Sequence, residues 1–305
     1  MTFLSTSAAN SPRVSIGMPV YNSQKYVGEA IESHLNQTFS DFELILTDNA
    51  STDRSEEICR SYASKDPRVK YHRNPQNLGA VGNFRRGFEL SVGQYFRWSP
   101  SDDLVSPNLL ERAVDILDRD PSIFVAYART KLIDGAGAVL GDFDEKLHLM
   151  DDRPSERWKG VLQNVRMGNL PYGLSRADSL RKTALLRNYG GGDIPLMCEM
   201  SLYGKFFEIP DAFFYRRMHE AASTAMKSSA DIMALYDPRN RKKLRMYYWS
   251  QLIDNLKSVV RAPISTSEKL SIFAFEAHWV FRGRREYLRE LGGVVSQGAR
   301  RLKRS

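Results

Sequence analysis

Short apolar runs alternate with amphipathic helical patterns over residues 14–133. The runs are rich in β-branched and aromatic residues, and several are too continuously apolar to have a face in water. Ser106 and Pro107 form an N-cap and first-turn pair that predicts the start of a helix. The predicted strands are Val14–Val20, Phe42–Thr47, Val69–His72, Tyr95–Trp98 and Phe124–Ile133. Strands that alternate with helices predict an α/β domain with a mostly parallel sheet covered on both faces.

The second half of the chain has a weaker pattern. No regular period is visible over residues 138–193, and a helix over Ile194–Tyr203 and a strand-like run over Phe206–Tyr215 follow. The carboxyl-terminal part predicts two amphipathic helices. In the second of these, Leu270 and Leu288 belong to one apolar face.

Positive charge is concentrated at the carboxyl-terminal end. The 305 residues carry a net charge of +8, but residues 226–305 alone hold 17 Lys+Arg against 7 Asp+Glu. The surplus therefore belongs to this tail and says little about a site elsewhere. We divide the chain into a leader over residues 1–12, an α/β domain over 13–225 and a basic helical region over 226–305.

The spacing of the cysteines and the length of the apolar runs indicate the cellular compartment of the protein. Cys59 and Cys198 lie on predicted helices without a partner at metal-ligand spacing, so neither a disulfide framework nor a zinc site is indicated. The sequence has neither a secretory signal pattern nor an uncharged apolar run of about 18 residues. We expect a cytoplasmic protein.

Polar residues follow three of the predicted strands. Pro19-Val20-Tyr21-Asn22 follows the first, Asp48-Asn49 the second, and Ser101-Asp102-Asp103 the fourth. In an open parallel sheet, ligands bind outside the carboxyl ends of the strands. Two adjacent carboxylates repel each other, and a bound Mg²⁺ or Mn²⁺ relieves that repulsion. The alternative is that Asp102 and Asp103 only favour the N-terminal dipole of the next helix.

Two long segments carry a resemblance to a known family. The string VSIGMPVYNSQKYVGEAIESHLNQTFSDFELILTDNASTDRS resembles the opening of family 2 glycosyltransferases, and NLGAVGNFRRGFELSVGQYFRWSPSDDLVSP resembles the continuation. The likeness runs in order over residues 13–224. It implies a GT-A fold and an inverting transfer from a UDP- or GDP-linked sugar to a hydroxyl acceptor, in polysaccharide or glycolipid assembly.

The resemblance also implies a nucleotide site at the first two strand ends. The expected nucleotide-sugar residues are Pro19, Tyr21, Asn22, Asp48 and Asn49. Of these, Asp48 would accept a hydrogen bond from the base.

The metal site is expected at the fourth strand end. The resemblance makes Asp103 the ligand of Mg²⁺ or Mn²⁺ and places Asp102 against the ribose or diphosphate, with a share in the metal. Family members often carry an acidic residue where this chain has Pro100, so the division of roles between Asp102 and Asp103 stays open.

The proposed reaction needs a base that takes the proton of the acceptor hydroxyl. The family pattern places a carboxylate at a helix start about a dozen residues before a glycine. Asp193, which precedes Gly204 by eleven positions, fits that pattern, and Glu199 on the same helix is the alternative. The approach through Gly190-Gly191-Gly192 favours Asp193.

A late segment, YRRMHEAAST, resembles the part of the family that closes over the diphosphate. It makes Arg217 a nucleotide-sugar residue and His219 a metal ligand, and either would offset charge on the leaving group. The alternative for His219 is an ordinary surface or core histidine. Tyr172 is a candidate for the acceptor pocket.

The basic tail has two interpretations. Arg282, Arg284, Arg285 and Arg289, with Arg300, Arg301, Lys303 and Arg304, can bind anionic lipid headgroups, which suits a lipid-linked acceptor. The alternative is that the helices pack on the α/β domain and leave these charges in water. No nucleic-acid-binding module accompanies the charge.

Other functions of an α/β nucleotide-binding domain fit less well. The first strand leads into PVYNSQKYVG, where a dinucleotide-binding dehydrogenase has a G-x-G-x-x-G turn. A nucleotidyltransferase would open with a glycine-rich phosphate loop, which is also absent. A non-catalytic nucleotide-sugar-binding protein, or an assembly factor at the membrane surface, remains the alternative.

Overall fold

The computed structural model describes residues 11–220, 222, 236 and 246–302, with the side chains of 294–302 outside the description. Most of the leader and the side chains of the last four basic residues therefore lie outside it. The strands are β1 Val14–Val20, β2 Phe42–Asp48, β3 Val69–Arg73, β4 Tyr95–Trp98, β5 Leu104–Val105, β6 Ile123–Ile133, β7 Val139–Phe143, β8 Leu174–Arg176 and β9 Lys205–Arg217. The helices are α1 Val27–Leu35, α2 Ser55–Lys65, α3 Gly79–Glu89, α4 Leu109–Arg119, α5 Pro154–Asn164, α6 Ala177–Arg181, α7 Asp193–Tyr203, α8 Tyr247–Arg261, α9 Thr266–Arg282 and α10 Arg284–Leu302.

The described strands form one sheet in the order β3-β2-β1-β4-β8-β6-β9-β5, with β7 paired to β6. The β3-β2-β1-β4 half is parallel throughout, and β6 pairs with β9 in parallel. β8 lies between β4 and β6 and pairs antiparallel with both, so it connects the two parallel parts of the sheet. The α/β prediction is confirmed.

The register of the parallel half sets the position of the site. Val20 pairs with Asp48, and Asp48 pairs with Arg73, so β1, β2 and β3 end at one level. The helix α3 lies directly on β1, where a Cβ at Gly87 would come within 3.2 Å of the Gly17 Cα. This close approach brings α3 over the same edge of the sheet.

The carboxyl-terminal helices pack on the α/β domain with their inner faces. The helix α8 packs against α7, and α9 packs against α5. Val259 and Ile272 are fully buried there, whereas Leu270 and Phe281 stay more than half exposed. Within residues 11–220 and 246–302, no helix is long and apolar enough to cross a membrane.

The structure corrects three sequence-based boundaries. The long second carboxyl-terminal helix ends at Gly283, so the predicted pair of helices is three. The segment over 138–193 contains β7, α5, β8 and α6, which the sequence pattern did not reveal. The helix α4 begins at Leu109 because Ser106 is used elsewhere: its hydroxyl accepts from the Phe213 amide of β9.

Candidate active site

A cavity of 330 Å³ opens at the carboxyl ends of the parallel strands. This donor cavity, as we call it, is bordered by the ends of β1 and β4, the loop after β2, the face of α3 and the first turn of α7. Its position follows the rule that open α/β sheets bind ligands beyond their strand ends. Six of the residues expected from the sequence line it: Pro19, Tyr21, Asn49, Asp102, Tyr172 and Asp193.

Asp102 lines the donor cavity and pairs with His219, which is not among the lining residues. The His219 Nε2 and Asp102 Oδ2 lie 3.0 Å apart, and the imidazole packs 4.8 Å from the ring of Tyr26. A carboxylate oxygen and an imidazole nitrogen are both ligands that divalent cations accept. Among the described residues, no group of three or more such ligands is present. The pair could hold a cation only together with ligands from a substrate and water.

Asp103 lies below the cavity wall. Its side chain belongs to a residue only 5% exposed, and Oδ1 accepts a hydrogen bond of 2.7 Å from the Arg217 amide. Burial, with the like charge of Asp102, raises the pKa of Asp103 to about 8. Of the two carboxylates, Asp102 is the one that lines the cavity, and metal ligation by Asp103 stays a prediction.

Arg217 is buried and its side chain hydrogen-bonds to three other residues. Its guanidinium donates to the carbonyl oxygens of Asp102 and Gly135 and to Glu29 Oε2, the last at 2.7 Å. The residue is 2% exposed and does not line the donor cavity. Arg217 thus fixes the Asp102–Asp103 turn to the end of β9, and its expected role in binding the nucleotide sugar stays a prediction.

Both carboxylate oxygens of Asp48 accept hydrogen bonds from neighbouring residues of the protein. Oδ2 accepts from the Tyr71 hydroxyl and from Arg73 Nη1, each at 2.6 Å, and Oδ1 accepts from the Ser51 amide. Burial opposes ionisation, but these hydrogen bonds outweigh it and lower the pKa. Asn49 is the residue of this pair that lines the cavity, and the contact of Asp48 with the nucleobase stays a prediction.

Asn22 connects the loops after β1 and β2. Its backbone is left-handed, with φ at 49°, and its Oδ1 accepts from the Thr52 amide at 2.8 Å. Asparagine tolerates this backbone region better than most residues. Asn22 thus shapes the rim beside the cavity-lining Tyr21, and it is not itself part of the wall.

Asp193 opens α7 and faces the donor cavity. Burial raises the pKa of its carboxyl, and the charge of Glu145 raises it further while that of Arg216 lowers it. Gly168 leaves the space for this carboxylate, since a Cβ there would lie only 2.1 Å from Asp193 Oδ2. Asp193 therefore has both the access and the raised pKa of a general base.

Glu199, the alternative base, is fully buried away from the cavity. One of its oxygens accepts from the Ala184 amide at 2.9 Å, and the other pairs with Arg261 of α8. A carboxylate held in this way ties α7 to its neighbours. The structure thus favours Asp193 over Glu199.

Sequence reasoning missed the segment that supports Asp193. The oxygens of Glu145 accept from four successive amides, those of residues 166–169, at 2.6–3.0 Å. Arg187, also missed, adds a cationic side chain to the cavity wall, and Tyr172, the predicted acceptor residue, lines it too. Glu145, Gly168 and Arg187 lie in the segment without visible period, so no sequence signal singled them out.

Comparisons with known proteins identify the family of the chain. The sequence model described as "Glycosyl transferase family 2" matches residues 15–169. An uncharacterized glycosyltransferase of Haemophilus influenzae is 40% identical over 108 residues, and one of Rickettsia typhi is 29% identical over 225 residues. A chondroitin synthase of Escherichia coli is 32% identical over 132 residues.

These matches cover parts of each chain. They span 35%, 70% and 43% of this protein and 43%, 66% and 19% of the three relatives, respectively. The chain thus spans less than two thirds of the length of each of them.

Solved structures share the fold. TarS of S. aureus in complex with UDP-GlcNAc superposes with a TM-score of 0.64 at 18% identity, covering 92% of this chain and 80% of that one. The mannosyltransferase PcManGT of Pyrobaculum calidifontis, in complex with GDP-Man and Mn²⁺, gives 0.55 at 14% identity, covering 95% and 76%. The expected GT-A fold is confirmed, and the chain belongs to glycosyl transferase family 2.

Proposed function

We propose that this protein transfers a sugar, with inversion, from a nucleotide-diphosphate donor to a hydroxyl group of a saccharide or glycolipid acceptor. One observation carries the proposal: Asp102, which is hydrogen-bonded to His219, and Asp193, which has a raised pKa, line one cavity at the strand ends. A cation site and a base around one cavity are what such a transfer needs.

The donor is proposed to be UDP- or GDP-linked. TarS binds UDP-GlcNAc, and PcManGT binds GDP-Man with Mn²⁺, so both nucleotides occur with this fold. In this chain Asp102 and His219 would hold Mg²⁺ or Mn²⁺. Such an ion, when bound, offsets the charge that develops on the leaving diphosphate.

The protein's own residues transfer the proton and stabilise the leaving diphosphate. The Asp193 carboxylate takes the proton from the acceptor hydroxyl as that oxygen bonds to the anomeric carbon, and the nucleotide diphosphate leaves from the opposite face. Arg187 adds positive charge at the cavity wall, where it favours the departing diphosphate. Asn49 and Tyr21 border the nucleotide.

The contact with a membrane is proposed for the outer faces of α9 and α10. Leu270, Phe281 and Leu288 are each more than 60% exposed, and Arg285 and Arg289 are exposed on the second helix. An apolar face with basic neighbours binds anionic lipid surfaces. Sedimentation with anionic vesicles but not with neutral ones supports the contact, and equal sedimentation with both contradicts it.

Metal-dependent donor binding tests the site. UDP- and GDP-sugars are screened by thermal shift with and without Mn²⁺, because a ligand of the folded state alone raises its stability. We expect one donor to stabilise the parent only with the metal, and Asp102→Asn to remove this effect. Donor binding that survives in Asp102→Asn with full metal dependence contradicts the assignment.

Turnover separates the enzyme from the alternative, a non-catalytic nucleotide-sugar-binding protein. Release of nucleoside diphosphate in the presence of an acceptor supports transfer. Donor binding without release, across saccharide acceptors, supports the binding protein.

A further inference from the structure

A second cavity, of 420 Å³, lies between α5, the first turn of α7 and the three carboxyl-terminal helices. Ile194 lines this helical cavity, whereas the preceding residue, Asp193, lines the donor cavity. The first turn of α7 therefore lies between the two spaces. A molecule in the helical cavity would sit next to the element that carries the candidate base.

One end of the helical cavity is rich in hydrogen-bond acceptors. Glu276 is 2% exposed, and its Oε1 accepts from Trp158 Nε1 at 3.0 Å and from Asn255 Nδ2 at 2.8 Å. Among the described residues, both donors to Glu276 bond to this same oxygen. Asn255, which also lines the cavity, has a buried Oδ1 without a partner among the described residues.

These acceptors need donors. A buried oxygen without a hydrogen-bond donor is unfavourable, so native structures provide one. Burial raises the pKa of Glu276, and the two hydrogen bonds to Oε1 lower it in turn. The cavity thus presents a fixed carboxyl oxygen to whatever enters, and the occupant should bring hydroxyl or amide donors.

The walls of the helical cavity are aromatic and aliphatic. Tyr248, Trp279 and Tyr287 contribute rings, and Leu162 and Val165 contribute aliphatic groups. Tyr248 and Tyr287 pack with their ring centroids 5.5 Å apart. Pockets of this kind take a largely apolar surface and orient it through a few polar groups.

Three classes of occupant can be compared by their chemistry. A lipid chain would leave the acceptors at Glu276 and Asn255 without donors. A phosphate would meet the carboxyl group of Glu276, and an ammonium group would meet the guanidinium of Arg282, which also lines the cavity. A sugar ring matches both features, because its C–H face packs on aromatic rings while its hydroxyls donate to carboxyl and amide oxygens.

We propose that the helical cavity binds a sugar unit of the acceptor, away from the unit that reacts. This inference rests on the proposed function, since it extends the acceptor site of the same enzyme. Occupation of the cavity selects an acceptor that already carries several sugars. It also holds that acceptor against α7, beside Asp193.

Calorimetric titration without donor or metal tests the subsite directly. The probes are glucose and N-acetylglucosamine oligosaccharides from mono- to hexasaccharide, with farnesyl phosphate as the lipid probe. The variants are Glu276→Gln, which keeps the shape of the side chain, and Tyr248→Ala at the partly exposed rim. His278→Ala, an exposed neighbour of Trp279 on the same helix, is the matched control.

We expect at least one oligosaccharide series to bind the parent and the His278→Ala protein, with affinity about tenfold lower in Glu276→Gln and Tyr248→Ala. In transfer assays, the same two variants should raise the KM of long acceptors and leave that of monosaccharide acceptors and donor binding unchanged. Absence of saccharide binding, equal binding by all variants, or binding of farnesyl phosphate that Tyr248→Ala removes would overturn the proposal.

The calorimetric titration and the transfer assay together distinguish a failure of this inference from a failure of the proposed function. Oligosaccharide binding in the calorimeter without any transfer would refute the enzyme and leave a saccharide site. Transfer with no effect of acceptor length in either variant would refute the subsite and leave the enzyme.

Discussion

Gly168→Ala should disable turnover by displacing the candidate base. The residue has φ at 67°, and a Cβ there would lie 2.1 Å from Asp193 Oδ2, where ordinary contact begins at 3.4 Å. The loop itself is held, because the amides of residues 166–169 all donate to Glu145. The Asp193 carboxylate must therefore move by about 1.3 Å.

The magnitude follows from this displacement. A misplacement of about 1 Å in a reacting group lowers the rate roughly 100-fold. The left-handed backbone adds about 1 kcal/mol of strain to the folded state for any residue with a side chain. We therefore expect kcat to fall roughly 100-fold and the free energy of unfolding by only about 1 kcal/mol.

The assay measures kcat at saturating donor and acceptor, with the free energy of unfolding from urea titration. Gly137→Ala is the matched control: it has φ at 90°, and its Cβ would come no closer than 3.9 Å to a neighbouring side chain. It should show the stability loss alone. If Gly168→Ala and Gly137→Ala have the same kcat, the close fit at Asp193 does not matter for turnover and the reasoning is refuted.

Three further predictions concern carboxyl groups. Because burial raises the pKa of Asp193, kcat should fall as the pH is lowered through a value above the usual 3.8, and a pH–rate profile that stays flat down to pH 3.8 would contradict this. The raised pKa of Glu276 means that the folded state holds this proton more tightly than the unfolded state; its stabilising effect is present below pH 4.5 and lost as the pH rises through the raised pKa. Urea titrations at several pH values should therefore show Glu276→Gln gaining stability relative to the parent as the pH rises, and a constant difference would contradict the assignment. Glu145→Ala should lower the free energy of unfolding by about 3 kcal/mol, since it leaves four amides without their acceptor, and a loss below about 1 kcal/mol would show that the loop does not depend on it.

Much of the fold was predictable because its strands are buried on both faces. The bounds of β1 and β4 agree residue for residue with the apolar runs Val14–Val20 and Tyr95–Trp98. Every residue of β2 is buried, and its central run Leu44-Ile45-Leu46 is apolar on both faces. The helix α5 was missed because its buried face includes Ser155 and Arg157, which no hydrophobic period marks.

The roles of the individual site residues were less predictable than the location of the site. Adjacent residues of a turn point in different directions, and the choice between Asp102 and Asp103 is made by the Arg217 amide, which lies 114 residues later and holds Asp103. The same long-range pairing takes Arg217 away from the cavity. Sequence spacing identifies a set of residues at a sheet edge, but it does not show which of their polar atoms are already satisfied.

The central claim is that Asp193 acts as the base beside a donor site at the strand ends. Donor affinity and kcat measured on Asp193→Asn test it most directly, because this change keeps the shape of the side chain and removes its basicity. We predict donor affinity close to that of the parent, with kcat lower by about 100- to 10,000-fold. Turnover within a few-fold of the parent in Asp193→Asn would contradict the account.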